Sequence, residues 1–560
     1  MKLSHLRENP LDRLNFWTAV TVLAILLILL FIVYPFSHLL IRSFVMENGS
    51  ISFAHYAEFF QSKYYLHTLF NSFMVSASAT VLALLIGLPM AYFTARYRII
   101  GKSIVDHLCI LAMLSPPFIG AYSWIVLLGR AGVFTRFAED TFGLSLPSIY
   151  GFSGILLVFT LKLFPYVYLY VSAALQSMDA SLEEAAENLG TSGWRRFREI
   201  TFPLILPTIL SAALMVFMTS LADFGTPALI GEGFRVLPVS IYDAYMSELG
   251  AGNTAFANVL SVVVVVFALL VLLLQKKALA GRDYMMSGLR PMKRKTLSGV
   301  RSVLVALGIY FVAFLAVLPQ LTVAVTSFVK TSGPVFLPGF GFESYAEAFG
   351  KMSDAILNSF LFSLSAIAIM VLSALLISYL IVREQSRAST LIDMMVMFPY
   401  VIPGAVLGIM LSSTFNGMPL PLTGTAFILI LSYVIRKLPF TLRSSIGILY
   451  QIDRSVDEAS ISLGVTPVKT FFRVTARLML PGVMSGAILS WIATMNELSS
   501  SLILYTGGTQ TISVAIFNEV TSKAHFGTAA ALATILTAAT VLSLVVCRRL
   551  AGGENRTLNL

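Results

Sequence analysis

Long apolar stretches separated by short polar ones dominate the chain. About 20 apolar residues suffice for a helix to cross a bilayer. Stretches of that order fall at 16 to 42, 66 to 94, 104 to 128, 152 to 176, 204 to 230 and 255 to 275. A second set follows at 301 to 328, 357 to 383, 391 to 414, 424 to 450, 478 to 505 and 526 to 548. The pattern predicts an all-α polytopic membrane protein with about 12 transmembrane helices, six plus six. Between the sets, Lys276 to Arg301 is crowded with Lys and Arg and interrupted by Gly281, Gly288 and Pro291, which mark it as a linker. The expected organisation is a first unit at 1–280, a basic linker at 281–300 and a second unit at 301–560.

The two sets are copies. Asn71-Ser72-Phe73 recurs as Asn358-Ser359-Phe360, Tyr92 as Tyr379, Asp106 as Asp393 and Pro116 as Pro403, all 287 positions later. Further on the offset becomes 274, pairing Pro165 with Pro439, Asp179 with Asp453 and Asp223 with Glu497. The difference of 13 residues implies a longer loop in the first copy, between Gly129 and Ser153; such an insertion costs little closure entropy. Six spans per copy is an even number, so the copies run in the same direction, as parallel repeats do.

One polar segment also occurs twice: SLEEAAENLGTSGWRRFREITFPLILP over 181–207 and SVDEASISLGVTPVKTFFRVTARLMLP over 455–481. A Ser stands three residues before a Glu in both (Ser181 and Glu184, Ser455 and Glu458), the spacing of a capping box. Six residues after each Glu stands Gly190 or Gly464, suited to a left-handed helix end. Thr466-Pro467 reads as the start of a second helix, with Ser192 at the Thr466 position of the first copy. Each segment is therefore expected to be helix, turn, helix.

Glu184-Ala185-Ala186 through Gly190, and Glu458-Ala459-Ser460 through Gly464, resemble the EAA loop of permease subunits of binding-protein-dependent ABC importers. The resemblance spans nearly the whole chain, once per copy, and implies a fold like that of type I ABC importer permeases. In that family the loop is a coupling helix seated in a cleft of a cytoplasmic ATPase, with the Glu facing basic groups and the Gly allowing the bend. Ser460 replaces the Ala of the pattern, a small-for-small change. The resemblance implies two ATP-binding cassette subunits and one extracytoplasmic substrate-binding protein as partners. One chain would then supply what two permease subunits usually supply.

Composition agrees with a bilayer as solvent: 57% of residues are hydrophobic and only 12% charged, about half the charged share of a soluble domain. The net charge of +10 does not point to nucleic acid, because the basic residues gather in short loops between spans. Placing both termini, the linker and both polar loops on one side collects most of the 38 Lys and Arg residues, which makes that side the cytoplasm. Lys162, Arg436, Lys437 and Arg443 remain within spans. Lys2, Arg7 and Arg13 precede the first apolar run as in a signal peptide, but that run is long and has no small-residue cleavage site, so it is expected to stay as the first span.

The chain carries little chemistry of its own. It has no GxxxxGK[ST] loop, so ATP hydrolysis is expected in a partner and no enzyme activity here. Cys109 and Cys547 have no CxxC neighbour, and His5, His38, His55, His67, His107 and His525 lack metal-ligand spacing, so no disulfide, metal or cofactor site is expected. Asp223 and Glu497 stand out as acids inside apolar spans at matching repeat positions. Such acids line a pathway or accept hydrogen bonds as structural ties, and both readings stay open. As pathway residues they would form a negative collar favouring a cation. Pro116-Pro117, Pro165, Pro403 and Pro439 are expected to break helices within spans.

The surroundings of the two acids, LADFGTPALIG and NELSSSLIL, resemble the corresponding helices of ferric-iron importer permeases. That implies ferric iron as cargo, with phosphonate, thiamine and polyamine as alternatives within the class. An ion-coupled secondary transporter of six plus six helices would lack docking loops, and a non-transporting scaffold would show no flux.

Overall fold

The computed structural model describes residues 16–46, 49–251, 255–279, 294–297 and 299–550. The N-terminal basic residues, His5 and most of the linker lie outside the described residues. Helices dominate. Ten are long and apolar enough to cross a membrane, or eleven if a bent pair counts as one span, among the described residues. The expected span at 424 to 450 forms the helix Ala426–Gln451; it carries Arg436, Lys437 and Arg443 and is not among those ten.

The bent pair is Arg387–Val401 and Gly404–Thr414, which turn by 109° at Ile402-Pro403. At the matching place in the first copy, Lys102–Leu114 stops before Pro116 and a new helix runs Pro117–Leu128. A proline restricts the residue before it to extended backbone, so both breaks follow from Pro116 and Pro403. Pro165 and Pro439 behave differently from the expectation. They lie inside the unbroken helices Phe152–Ser177 and Ala426–Gln451. Both prolines are buried, and packed neighbours hold the helix together past the one lost hydrogen bond.

The extra length of the first copy, between Gly129 and Ser153, holds a short helix, Val133–Phe142. The second copy has instead a feature that the hydrophobic pattern did not predict, an antiparallel hairpin of Val329–Ser332 with Val335–Phe340.

Two compact units emerge, and each takes its first span from the other copy. Among the described residues, one comprises 16–51, 354–511 and 542–550; the other comprises 52–353 and 512–541. In the former, Trp17 of Phe16–Ile28 stacks on Tyr379 with ring centroids 4.2 Å apart and meets Phe471 edge-on at 5.0 Å. In the latter, Ser123 donates to the carbonyl of Pro319 in Val300–Thr326 at 2.8 Å. Tyr310 of the same helix donates to the carbonyl of Ile100, also at 2.8 Å. The described end of the linker is tied here as well: the Lys295 N–H donates to the Arg96 carbonyl at 2.8 Å.

Candidate functional site

Both polar segments fold as helix, turn, helix. The first helices are Ala180–Asn188 and Arg454–Ser462. Their caps differ from the Ser-and-Glu box expected. Asp179 accepts the Ser181 N–H at 2.9 Å, and Asp453 accepts the Ser455 N–H at 2.8 Å. A carboxylate two residues upstream reaches the orphan N–H groups first and carries the charge that a helix N-terminus favours. The Ser455 N–H bond holds the Asp453 carboxyl below its ordinary pKa.

The turn is left-handed in both copies, with φ +77° at Gly190 and +86° at Gly464. The Gly190 N–H donates to the Glu187 carbonyl at 2.9 Å and the Thr191 N–H to the Ala186 carbonyl at 3.1 Å. The second copy repeats the pair, with Gly464 N–H to Ile461 at 2.9 Å and Val465 N–H to Ser460 at 3.3 Å. This Schellman arrangement satisfies the last carbonyls and turns the chain sharply. A second start follows, with Ser192 capping Gly193–Arg196 and Thr466-Pro467 opening Pro467–Thr470.

Glu184, Ala185, Gly190, Glu458, Ala459 and Gly464 are all exposed. Beside them, Leu189 and Leu463 are 84% and 85% exposed, far more than an isolated helical loop would leave by choice. Ala186 is buried, whereas Ser460 is half-buried with its hydroxyl 2.9 Å from the Thr470 hydroxyl. Thr470 replaces Arg196 of the first copy, whose guanidinium pairs with Glu187 at 2.8 Å. The departure at Ser460 is thus matched by its own partner.

Sequence reasoning missed what lies beneath the exposed face. Arg96, at the end of Lys63–Arg96, forms a bidentate ion pair with Glu183, and Thr201 donates to the same carboxylate at 2.7 Å. In the second copy Arg383 pairs with Asp457 at 3.0 Å and donates to the Ile452 carbonyl at 2.8 Å. Thr475 donates to Asp457. Glu183, Thr201, Asp457 and Thr475 are all buried. Each threonine closes a π-helical turn, Phe197–Thr201 or Phe471–Thr475, that leads into the outgoing span. The repeat offsets were the available signal, because Arg96 and Arg383 are 287 apart while the acids and threonines are each 274 apart.

Asp223 and Glu497 sit just past the ends of Phe202–Leu221 and Ala476–Met495, at helix breaks rather than inside continuous spans. Asp223 accepts the Thr226 N–H of the next helix at 2.8 Å, and Glu497 accepts the Ser500 N–H at 3.3 Å. Neither charge is bare. Lys162 lies 3.6 Å from Asp223, and Arg436 and Lys437 lie 2.6 Å and 2.7 Å from Glu497. Lys162 and Arg436 occupy the same repeat position, three residues before Pro165 and Pro439. Gly404 allows the second cluster to close, since a Cβ there would fall 2.5 Å from an Arg436 nitrogen and 3.0 Å from a Glu497 oxygen.

A duplicated bundle of apolar helices, each copy carrying the same exposed glutamate, left-handed glycine turn and buried anchor, defines a polytopic membrane protein of two like halves. Residues 83–279 and 374–551 both match the family described as binding-protein-dependent transport system inner membrane component. The chain belongs to that family, as a fused double permease of an ABC importer in the inner membrane. The Ferric transport system permease protein FbpB of Actinobacillus pleuropneumoniae is 30% identical over 91% of this chain and 75% of its own length. The Putative ferric transport system permease protein FbpB 1 of Haemophilus influenzae is 29% identical over 89% of this chain and 79% of its own. A crystal structure of a bacterial ABC transporter involved in the import of the acidic polysaccharide alginate aligns with 47% of this chain and 93% of its own, at 20% identity and a TM-score of 0.38.

Proposed function

We propose that this chain is the translocation pathway of an ATP-driven importer of ferric iron, coupled through its two polar loops to a pair of cytoplasmic ATPase subunits. An extracytoplasmic binding protein delivers the cargo. Both termini and both loops face the cytoplasm, in keeping with the distribution of Lys and Arg.

In this reading Glu184 and Glu458 meet basic groups of the ATPase, Ala185 and Ala459 keep the contact face shallow, and Ala186 and Ser460 pack beneath it. Gly190 and Gly464 turn the chain so that the second short helix leads back into the membrane. ATP-driven closure of the ATPase pair moves the loops, and the attached spans rock between inward-open and outward-open states. Asp223 and Glu497 act on the pathway side as charge-paired ties: each fixes a basic side chain of the neighbouring helix and caps the helix that follows.

The observation that carries this reading is the recurrence of an exposed glutamate followed by a left-handed Schellman turn, at the same site of both copies of one family's fold. Iron as cargo rests on the ferric relatives, which cover most of this chain. The test is radioiron uptake into proteoliposomes holding this chain with its cognate ATPase and binding protein. Uptake that needs ATP and is not displaced by excess phosphonate, thiamine or polyamine supports iron. Displacement by one of those reassigns the cargo, and uptake without ATP would indicate a secondary transporter.

A further inference from the structure

The exposed face of each polar loop docks, in the reading above, but docking alone does not move a membrane span. Something must make the loop rigid against the bundle. Helices of nine residues, Ala180–Asn188 and Arg454–Ser462, are too short to be stable by themselves, and each is followed by a glycine turn. A push on such a helix would be absorbed locally unless it were held from below.

The buried anchors supply the hold. Each joins three elements at one carboxylate: the end of an earlier span, Lys63–Arg96 or Ser353–Glu384, through Arg96 or Arg383, the coupling helix through Glu183 or Asp457, and the start of the outgoing span through Thr201 or Thr475. Arg383 adds a bond to the Ile452 carbonyl at the foot of the preceding helix. In the first copy, Arg196 comes within 3.9 Å of Glu183 and pairs with Glu187, adding a second tie to the same helix. Arg holds a carboxylate through a planar fork, so the pair fixes orientation as well as distance. Burial keeps water and salt from competing for it.

We propose that Arg96–Glu183–Thr201 and Arg383–Asp457–Thr475 are latches that make each coupling helix, the span ending near Arg96 or Arg383 and the outgoing span move as one lever. These are positioning residues: they face away from the ATPase and act through the helix that touches it. The proposal rests on the importer reading, and it adds that the residue preceding each docking glutamate transmits force while the glutamate receives it. The copies differ in a way that suits this division. Glu183 and Asp457 vary in length while the arginine and the threonine stay the same, so the shape of the latch is adjusted and its three-way connection kept.

The test compares the parental chain with a Glu183→Gln, Asp457→Asn double variant, which keeps size and removes charge, in proteoliposomes with the cognate ATPase and binding protein. The latch predicts that the ATPase still co-purifies and hydrolyses ATP within about twofold of the parental rate, while cargo moved per ATP falls about tenfold, a coupling loss of ordinary allosteric size. Glu183→Asp with Asp457→Glu, which retains both charges, should recover most of the ratio. An unchanged ratio in the charge-free variant overturns the latch. Loss of ATPase co-purification also overturns it, since the acids would then build the docking face itself. Should the charge-free variant fail to accumulate, Thr201→Val with Thr475→Val removes only the tie to the outgoing spans. That variant should lower cargo per ATP at unchanged thermal stability, and an unchanged ratio there overturns the latch equally. A parental chain that moves no cargo with ATP overturns the importer reading and the latch with it.

Discussion

Asp223→Asn with Glu497→Gln would leave Lys162, Arg436 and Lys437 in a buried setting with no counter-charge, a change that costs about 3–5 kcal/mol per broken pair. The expected outcome is poor accumulation and a lower melting temperature in detergent. Replacing both members of the simpler pair, Lys162→Met with Asp223→Leu, should be close to neutral for stability, because no uncompensated charge remains. A charge-free double variant that melts like the parent but moves less iron would instead favour the bare-acid collar that the sequence suggested. At Gly190 and Gly464 the argument is about backbone alone. Nothing lies within 4 Å of a Cβ built at either position, so Gly190→Val and Gly464→Val meet no clash and incur only the left-handed penalty, about 1–2 kcal/mol each. Thermal stability should fall slightly and ATP-driven transport substantially. Transport at the parental rate in both variants would mean that the turn need not be left-handed during coupling.

At the scale of elements, the short helix Glu343–Lys351 is tied to the last span by the Glu347 carboxylate, which accepts from Lys351 at 2.5 Å and from Thr528 at 2.6 Å. Those two bonds hold the Glu347 carboxyl below its ordinary pKa. A lowered folded-state value means the stabilisation is complete above the ordinary glutamate range and is lost as pH falls through the folded value. Hydrogen exchange of this helix should therefore quicken on acidification, and Glu347→Gln should remove that pH dependence. An identical acid response in the variant would assign the effect to other groups. What the sequence made legible among the elements was periodic or local: apolar runs long enough to span, glycines where a helix must turn left-handed, prolines that open a new helix at 116 and 403. The misses came from a competing neighbour in the sequence or from contacts made only on packing. Asp179 and Asp453 cap helices assigned to Ser181 and Ser455 because an upstream carboxylate reached the same N–H groups. Pro165 and Pro439 stay inside helices because burial supports them. Glu183 and Arg96, 87 residues apart, meet only once the spans have packed, so neither looks special in its own neighbourhood.

For the whole molecule, the compact units cut across the sequence repeats. Residues 16–51 belong with much of the second copy, and 512–541 belong with the first. Hydrophobic patterning could count spans and find the duplication, but it cannot say which copy a span packs against, since all of them offer similar apolar faces. The exchange gives a reason for fusing two permease units in one chain: a first span expressed apart from its own copy would still be needed by the other. Separate expression of residues 1–280 and 281–560 should therefore yield unstable fragments that regain a sharp thermal transition only together. A first fragment that folds and melts cooperatively alone would contradict that dependence.

The claim that joins these scales is that force enters through the two exposed glutamates. It is tested most directly by ATP-driven iron uptake and ATPase co-purification of Glu184→Ala with Glu458→Ala, measured against the parental chain at equal membrane abundance. The account predicts a permease that inserts and melts normally, releases or fails to stimulate the ATPase pair, and loses uptake. A double variant that still co-purifies with the ATPase and transports at the parental rate would contradict it.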